Sequence, residues 1–254
     1  MKRSLLDHLV TRTIFLLATF FVVTYGQAFG EGFRLPYQGT AAAGQGEAFI
    51  AQADDPSALH YNPAGLTQVR RVQVYAGANF ITGKFSFTNP TGATAEGDLR
   101  QDVVMPPPAH VYVTANLEDL GFSSLGPLVV GIGLTSPYGL GARWPNSGPF
   151  AAVVTDATLP LLDIKPTLAY KIHDIFSFGG GLDIYTFSDL IGEGQGELIA
   201  HSGGTKTEFN GIDTAFGFNV SGLLTLLPNK HGKPQLNFGL VYRSGTTLNL
   251  RRAN

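Results

Sequence analysis

The chain has 254 residues, of which 14% are charged, and its formal net charge is −2. This balance provides no basic surface for binding nucleic acid, and the lack of cysteine excludes disulfides, thiol catalysis and thiolate metal sites. The 32 glycines and 15 prolines favour one domain of many short strands and turns over a helical bundle.

The N-terminus has the features of a secretory signal peptide. Lys2, Arg3 and Arg12 precede the apolar run IFLLATFFVV, and the small residues Gly26 and Ala28 follow it. We therefore expect residues 1–28 to be removed after export. An uncleaved membrane anchor is the alternative, although the run is shorter than the ~20 residues that a spanning helix needs.

Residues 29–69 show no strand alternation but contain signals for a short helix. Asp54, Asp55 and Pro56 favour a helix start, because acids and proline suit the first turn. Asn62 should end the helix, since a residue before proline is pushed out of the helical region. Gly65 is predicted to take a positive φ on the way into the first strand. The segment is too apolar for a disordered tail, so we expect it to pack against a folded surface.

Residues 70–254 contain seven stretches in which apolar residues alternate with smaller or more polar ones. One face of every stretch lacks charge, and the opposite faces carry Asp163, Lys165, Lys171, Asp183, Asp213 and Arg243. One Lys or Arg at the bilayer midplane of a barrel costs ~2–4 kcal/mol, so the asymmetry favours a lipid-facing sheet. A soluble β-sandwich would alternate in the same way. The stretches are residues 72–80, 110–117, 128–135, 163–172, 176–184, 212–221 and 236–243.

The connections between these stretches distinguish the two folds. Long connections follow the first, third and fifth stretches, and shorter ones follow the others, including a tight hairpin at residues 173–174. Short periplasmic turns that alternate with long external loops are typical of outer-membrane barrels. The predicted fold is an all-β, antiparallel transmembrane β-barrel. Pro166 lacks a ladder donor and predicts a bulge or kink in its wall.

The strand count and the N-terminal segment add two expectations. Bacterial single-chain barrels generally have an even number of strands, so a chain with seven is expected to be an incomplete barrel. Residues 29–69 precede the first strand and are placed to fold into a polar lumen as a hatch, while residues 70–254 form the wall.

Several stretches resemble the FadL family of outer-membrane transporters. They are GFRLPYQGTAAAGQGEAFIAQADDPSALHYNPAGLTQ at residues 32–68, GIGLTSPYGLGARW, IKPTLAYKIHDIFSFGGGLDIY and LNFGLVYRSGTTL. The resemblance covers essentially all of the mature chain and about half of a family barrel. It implies a barrel with a lumenal hatch that takes up long-chain fatty acids or aromatic hydrocarbons. Ligands would enter from outside, bind near the hatch and leave sideways into the bilayer.

The resemblance also implies candidate site residues. It places Asn62, Pro63, Ala64 and Gly65 on the hatch motif, with roles in structure and gating. It places Gly32, Phe33 and Leu35 on the stretch that lies near bound ligand. An ordinary turn is the alternative for the first set, and packing within the hatch is the alternative for Phe33 and Leu35.

An apolar cluster is predicted in one external loop. Tyr138, Leu140, Trp144 and Phe150 could form a first landing site for hydrophobic ligands, and packing of the loop on itself is the alternative. The six histidines lack metal-ligand spacing, and the sequence has no G-x-S-x-G, H-E-x-x-H or P-loop pattern. We therefore expect no enzyme activity, metal or cofactor, although a serine and a histidine of an acyl hydrolase could still meet on a barrel wall.

The leading functional hypothesis is passive uptake across the outer membrane. The expected partners are a hydrophobic small molecule, such as a fatty acid or hydrocarbon, and outer-membrane lipid, with no nucleic acid; the oligomeric state is left open. Two alternatives remain: a surface barrel of the adhesin type that does not transport, and a truncated gene product without function.

Overall fold

A computed structural model of the chain describes residues 34–79, 81–99, 110–138, 141–187, 196–228 and 234–251, which belong to one structural unit. The predicted signal peptide and the candidate residues Gly32, Phe33 and Leu140 lie outside the described residues. They stay predictions.

Seven antiparallel strands form one continuous sheet, termed here the wall sheet. In spatial order they are β1 (Val72–Gly77), β4 (His110–Asn116), β5 (Leu128–Tyr138), β8 (Leu161–His173), β9 (Phe176–Thr186), β12 (Thr214–Pro228) and β13 (Pro234–Arg243). Each of the seven predicted stretches contributes one of these strands, which confirms the prediction. In the part of the chain that the structure describes, β1 and β13 are not paired with each other, so the wall sheet is open at these two edges.

The two faces of the wall sheet differ as the alternation predicted. The outward face exposes large apolar side chains, including Val113, Ile132, Leu168, Phe178 and Leu240. The inward face buries small, polar and charged side chains under the N-terminal segment. Among these are Thr114, Asp163, Lys165, Thr167, Asp183, Asn219 and Ser221. An uncharged outer face is what contact with lipid requires.

Two local expectations for the wall need correction. His173 pairs with Phe176, so the hairpin turn consists of Asp174 and Ile175 and lies one residue later than predicted. The bulge expected at Pro166 is absent, because β8 keeps the same register with β9 before and after that proline. Pairing with β9 is instead interrupted at Lys165 and Pro166, where proline has no N–H to donate.

A second sheet of six short strands, termed the loop sheet, was not predicted. In spatial order its strands are β11 (Thr205–Gly211), β10 (Gly196–Ser202), β7 (Asp156–Thr158), β6 (Gly141–Arg143), β3 (Thr94–Leu99) and β2 (Lys84–Thr88). They come from the three long connections of the wall sheet. The sequence placed these connections at one end of the barrel, and their pairing with one another joins them into a single structure.

Residues 34–69, termed the N-terminal segment, lie against the inward face of the wall sheet. The segment contains α1 (Thr40–Gly44), α2 (Ala58–Tyr61) and a 3-10 helix (Pro63–Gln68). Phe49, Leu59 and Leu66 of the segment form the main apolar core with Tyr112 and Val129 of the wall. The hydrophobic effect therefore holds the segment on the wall, and polar contacts fix its position. None of the helices in the described residues is long and apolar enough to cross a membrane.

Candidate functional site

The end of α2 follows from local chemistry, as the sequence predicted, whereas its start lies later than expected, because the helix begins at Ala58 and Pro56 precedes its first turn. The Asp55 carboxylate accepts hydrogen bonds from the Ser57 backbone N–H at 2.7 Å and from the Ser57 hydroxyl at 2.5 Å, just before the first residue of α2. The helix ends at Tyr61, and Asn62 has extended backbone, as expected before proline. The chain then continues as the 3-10 helix, which brings residues 62–65, the NPAG motif, against the wall sheet.

The Asn62 side chain connects three parts of the structure and is completely buried. Its amide nitrogen donates to the carbonyl oxygen of Ile50 at 2.7 Å and, more weakly, to that of Gly222 on β12 at 3.4 Å. Its amide oxygen accepts from the Ala64 N–H at 3.1 Å. A buried amide with these partners fixes the turn between α2 and the 3-10 helix, because an unsatisfied buried polar group is costly.

Ala64 and Gly65 of the motif are held by close backbone contacts. The Ala64 N–H also donates to the Ser221 hydroxyl of β12 at 2.9 Å. Gly65 lies within the 3-10 helix and is not among the residues with positive φ, so the predicted backbone conformation is wrong. A Cβ at Gly65 would collide with the backbone of Ala53. The glycine is therefore required by the approach of two chain segments.

The wall has a matching glycine opposite this motif. A Cβ at Gly179 of β9 would collide with the backbone of Pro63 and Ala64. The inward face of β9 thus accommodates the 3-10 helix only because this residue has no side chain.

Further polar contacts join the N-terminal segment to several wall strands. Tyr112 donates from its hydroxyl to the Gln38 carbonyl at 2.7 Å, and Asn116 donates to the Val69 carbonyl at 3.1 Å. The hydroxyls of Thr67 and Ser177 are 2.8 Å apart. Together with Asn237, which donates to the Ala51 carbonyl at 2.9 Å, these contacts reach β4, β9 and β13.

A buried charge cluster lies on the inward face beside α2. The Lys165 ammonium group is 2.6 Å from Asp163 Oδ2 and also pairs with Asp183. Asp183 accepts a further hydrogen bond from Asn219 at 3.1 Å, and its Oδ2 is 3.3 Å from Nε of Arg243. Two carboxylates and two cations compensate one another, as buried charges require. The sequence places these charges on the inward faces of the strands, but no local pattern marks them as site residues.

His60 of α2 packs next to this cluster in its uncharged form. Burial lowers the pKa of His60 well below the usual value for histidine, and the positive charges of Lys165 and Arg243 lower it further. Neither ring nitrogen has a hydrogen-bond partner among the described residues. Burial also raises the pKa of Tyr61, whose hydroxyl donates to the Pro36 carbonyl.

Leu35 is the one predicted ligand-contact residue that the structure describes. It is half-buried, and its N–H donates to the Pro137 carbonyl at 2.7 Å, at the end of β5 next to the long connection. The structure therefore places Leu35 where the wall meets the loop sheet. Its contact with a ligand stays a prediction.

The predicted loop cluster is brought together only in part. Trp144 and Phe150 lie with ring centroids 4.5 Å apart, and they contact Phe85 and Phe87 of β2, which the sequence analysis missed. Tyr138 packs elsewhere, with its ring centroid 6.2 Å from that of Tyr185. The phenylalanines at alternating positions of β2 were the available signal for a half-buried strand.

The loop sheet also contains a cavity of about 990 Å3, which was not predicted. Its apolar lining includes Leu159, Leu198, Phe209 and Leu250. Glu197 and Glu208 also border it, but the register of β10 and β11 places their side chains on the opposite face of the sheet from Leu198 and Phe209. The volume lies in the range of small-molecule sites, which are mostly apolar with a few polar groups. Among the described residues, no group of three or more His, Asp or Glu side chains is placed to hold a metal ion.

Comparison with known proteins identifies the family. The model of the family described as outer membrane protein transport protein (OMPP1/FadL/TodX) matches residues 21–252. The chain belongs to this family. Membership places it in the bacterial outer membrane, where the seven antiparallel strands are wall strands of a FadL-type transmembrane β-barrel.

The relatives of this FadL-family chain are longer than the chain itself. It is 26% identical to the long-chain fatty acid transport protein of Salmonella typhi and 24% identical to that of Escherichia coli K12, and each match includes 96% of this chain. The chain spans 56% and 57% of the length of these relatives. A crystal structure of a Pseudomonas aeruginosa FadL homologue superposes with a TM-score of 0.48 and 15% identity, over 77% of this chain and 50% of that one.

Proposed function

We propose that this chain takes part in passive uptake of hydrophobic small molecules, such as long-chain fatty acids, across the outer membrane. In this proposal residues 1–28 are the signal peptide, residues 29–69 are a hatch and residues 70–254 are the barrel wall. The observation that carries it is the hatch position: the N-terminal segment covers the inward face of the wall through its own set of polar contacts. The relatives in the family are named as transport proteins, which supports transport over catalysis.

The contacts of the hatch suit a part that moves. A hydrogen bond that is exchanged for one to water contributes only ~0.5–1.5 kcal/mol, so the polar contacts can be released one by one. Asn62, Pro63, Ala64 and Gly65 give the hatch its shape at the wall. A shift of the 3-10 helix would separate Ser221 from Ala64 and Ser177 from Thr67. The apolar core between hatch and wall restores the closed state afterwards.

The direction of uptake follows from the chemistry of the ligand. Removing an alkyl chain from water provides ~0.8 kcal/mol per buried methylene, so no other energy source is needed. Ordering and desolvation make the net affinity lower, which allows release. The ligand would enter through the loop sheet, pass Leu35 with Gly32 and Phe33 near the hatch, and leave through the wall into the bilayer.

A disulfide between hatch and wall tests this mechanism directly. The chain contains no cysteine, so the pair Thr67→Cys and Ser177→Cys gives a single possible crosslink at hydroxyls that are 2.8 Å apart. Uptake of a labelled long-chain fatty acid into cells should be lost in the oxidised double variant and return after reduction. Each single cysteine variant serves as the control and should retain uptake under both conditions. Undiminished uptake by the fully crosslinked protein would overturn the hatch mechanism.

A further inference from the structure

The connection between β4 and β5, residues 117–127, is termed here the β4–β5 turn and exposes three large apolar side chains. Leu120, Phe122 and Leu125 are 45%, 57% and 49% exposed. Residues 120–127 contain no charged residue. Short turns of outer-membrane barrels lie on the periplasmic side. Apolar side chains grouped in this way mark a surface that contacts something other than water.

Backbone hydrogen bonds give the β4–β5 turn a defined shape. The Phe122 N–H donates to the Leu117 carbonyl at 2.9 Å, and the Leu125 N–H donates to the Phe122 carbonyl at 3.0 Å. Gly121 and Gly126 have positive φ of 95° and 65°, which glycine adopts without strain. An ordered turn therefore presents the three apolar side chains.

Phe122 and Leu125 lie on the same side of this turn. Phe122 directly precedes a short 3-10 helix, Ser123–Leu125. A 3-10 helix has three residues per turn, so side chains three positions apart lie one above the other. Ser124 occupies the intervening position and points in another direction. The turn therefore has an apolar side, formed by Phe122 and Leu125, and a side with hydroxyl groups.

The β4–β5 turn lies alongside the outward face of the wall sheet. A Cβ at Gly126 would lie 2.7 Å from the hydroxyl oxygen of Tyr170. Tyr170 shares the outward face of β8 with Leu168, and both side chains are exposed. The Lys171 N–H also donates to the Pro127 carbonyl at 3.3 Å, which joins the turn to β8. The turn thus extends the wall on the side of its outward apolar face.

We propose that the β4–β5 turn inserts its apolar side into the periplasmic leaflet of the outer membrane and anchors the wall there. The outward face of a transmembrane barrel contacts lipid, and this turn continues that face. Transfer of Phe122 and Leu125 from water to acyl chains is favourable, because it removes apolar area from water. The charged start of the turn stays at the head groups. There the Asp119 carboxylate accepts hydrogen bonds from Nη1 of Arg70 at 3.2 Å and from the Arg71 N–H at 2.9 Å.

Single cysteines measure whether the turn lies in lipid or in water. The chain contains no cysteine, so Phe122→Cys and Leu125→Cys each carry one thiol. The protein is placed in lipid nanodiscs, which leave both membrane faces open, and is treated with a charged thiol reagent that does not enter lipid. Each rate is divided by the rate of the same variant unfolded in urea.

The matched control is Ser124→Cys, which lies in the same 3-10 helix and is also exposed in the protein. Phe122→Cys and Leu125→Cys should react about tenfold more slowly than this control, because their thiols have to leave the lipid to react. Asp174→Cys, in the β8–β9 turn, is a second control and should react as fast as Ser124→Cys.

Leu120→Cys tests whether Phe122 and Leu125 hold the turn in lipid. This thiol should also react slowly in nanodiscs. Addition of Phe122→Ser with Leu125→Ser should make it react about tenfold faster. Ile175→Ser, which removes an exposed apolar side chain from the β8–β9 turn, is the control and should leave the rate at Leu120→Cys unchanged.

Each opposite outcome overturns a defined part of the proposal. Equal rates for Phe122→Cys, Leu125→Cys and Ser124→Cys would overturn lipid insertion and leave the apolar side in water, open to a periplasmic protein. Slow rates that require two copies of the chain in one nanodisc would assign the turn to contact between copies and would also overturn it. An unchanged rate at Leu120→Cys in the double serine variant would overturn the anchoring role of Phe122 and Leu125. None of these outcomes changes the disulfide experiment, which tests the hatch.

Discussion

Nη2 of Arg243 donates a 2.8 Å hydrogen bond to the carbonyl oxygen of His60. The same guanidinium group lies 3.3 Å from Asp183 through Nε. A single side chain of β13 therefore connects another wall strand, β9, with helix α2 of the N-terminal segment. Since the hydrogen bond from a charged donor is stronger than a neutral one, this contact is a main polar attachment of α2 to the wall.

Arg243→Met should weaken the attachment of α2 without unfolding the wall sheet. The substitution keeps the apolar stem but loses a charge-assisted hydrogen bond, at a cost of about 1.5–3 kcal/mol. Amide hydrogen exchange of residues 58–62 should then become about 10- to 100-fold faster. Arg143→Met, which removes an exposed ion pair of the loop sheet, is the control and should leave this exchange unchanged. Equal exchange in both variants would mean that Arg243 does not hold α2.

Asn62→Ala should impair transport more than barrel assembly. The variant loses the bonds of the amide to Ile50 and Ala64 in a completely buried position, which costs about 2–3 kcal/mol in the N-terminal segment. Fatty-acid uptake should fall, while the amount of folded barrel, measured by its heat-dependent mobility in gel electrophoresis, stays near that of the parent protein. We expect the same for Pro63→Ala.

The control for Asn62 is another asparagine with a structural role. Asn89 accepts hydrogen bonds from the N–H groups of Thr91 and Ala93 in the β2–β3 turn, so Asn89→Ala also removes local bonds but lies outside the N-terminal segment. It should retain uptake. Loss of barrel assembly in both Asn62→Ala and Pro63→Ala would contradict the gating role, because the motif would then serve folding.

Gly179→Ala should displace the 3-10 helix from the wall. The added methyl group collides with the backbone of Pro63 and Ala64, and such overpacking typically costs about 1–3 kcal/mol. Amide hydrogen exchange in residues 64–68 should accelerate. Gly222→Ala is the matched control on the outward face, because its Cβ would lie 3.5 Å from the Phe176 ring at ordinary contact distance. A Gly179→Ala protein with unchanged exchange would show that the helix adjusts without cost.

The difference between the two sheets shows what the sequence can predict. Every wall strand could be recognised in the sequence. Contact with lipid requires one uncharged apolar face, so apolar residues recur at every second position along the strand. The loop sheet left no such pattern. Two of its strands, β6 and β7, have three residues each, and six of the seven residues of β11 are exposed. Its pairing also joins three separate connections, which no local rule describes.

The candidate site was predictable only where the chemistry is local. The turn that Asp55 forms with Ser57 and the end of α2 just before Asn62 follow from neighbouring residues. The requirement for glycine at position 65 does not follow from neighbouring residues, because it arises from the close approach of Ala53 in another part of the segment. The charge cluster lies between these cases: the sequence placed Asp163, Lys165 and Asp183 on inward faces, but the register of β8 and β9 was needed to bring them together.

Pro166→Val should affect release through the wall if the ligand leaves near this position. Valine restores an N–H to β8 where pairing with β9 is interrupted, and one added backbone hydrogen bond contributes about 0.5–1.5 kcal/mol. Uptake should become slower. Leu168→Val, an outward-facing substitution two residues further along β8, is the control. Unchanged uptake in Pro166→Val would place the exit elsewhere in the wall.

The attachment of α2 should weaken in acid because of His60. Burial and two nearby cations lower the pKa of His60 in the docked state, so the released state binds a proton at higher pH than the docked state does. Above the ordinary histidine pKa of about 6.5, docking of α2 therefore has its full stability. As the pH falls below that value, the equilibrium constant for docking decreases by at most about tenfold per pH unit. Protection factors of residues 58–62, corrected for intrinsic exchange, should show this decline, and His60→Gln should remove it.

Glu47 acts in the opposite sense, since burial raises its pKa and favours docking at still lower pH, so Glu47→Gln should make the decline steeper. A decline that persists in His60→Gln would assign it to another group facing the interface.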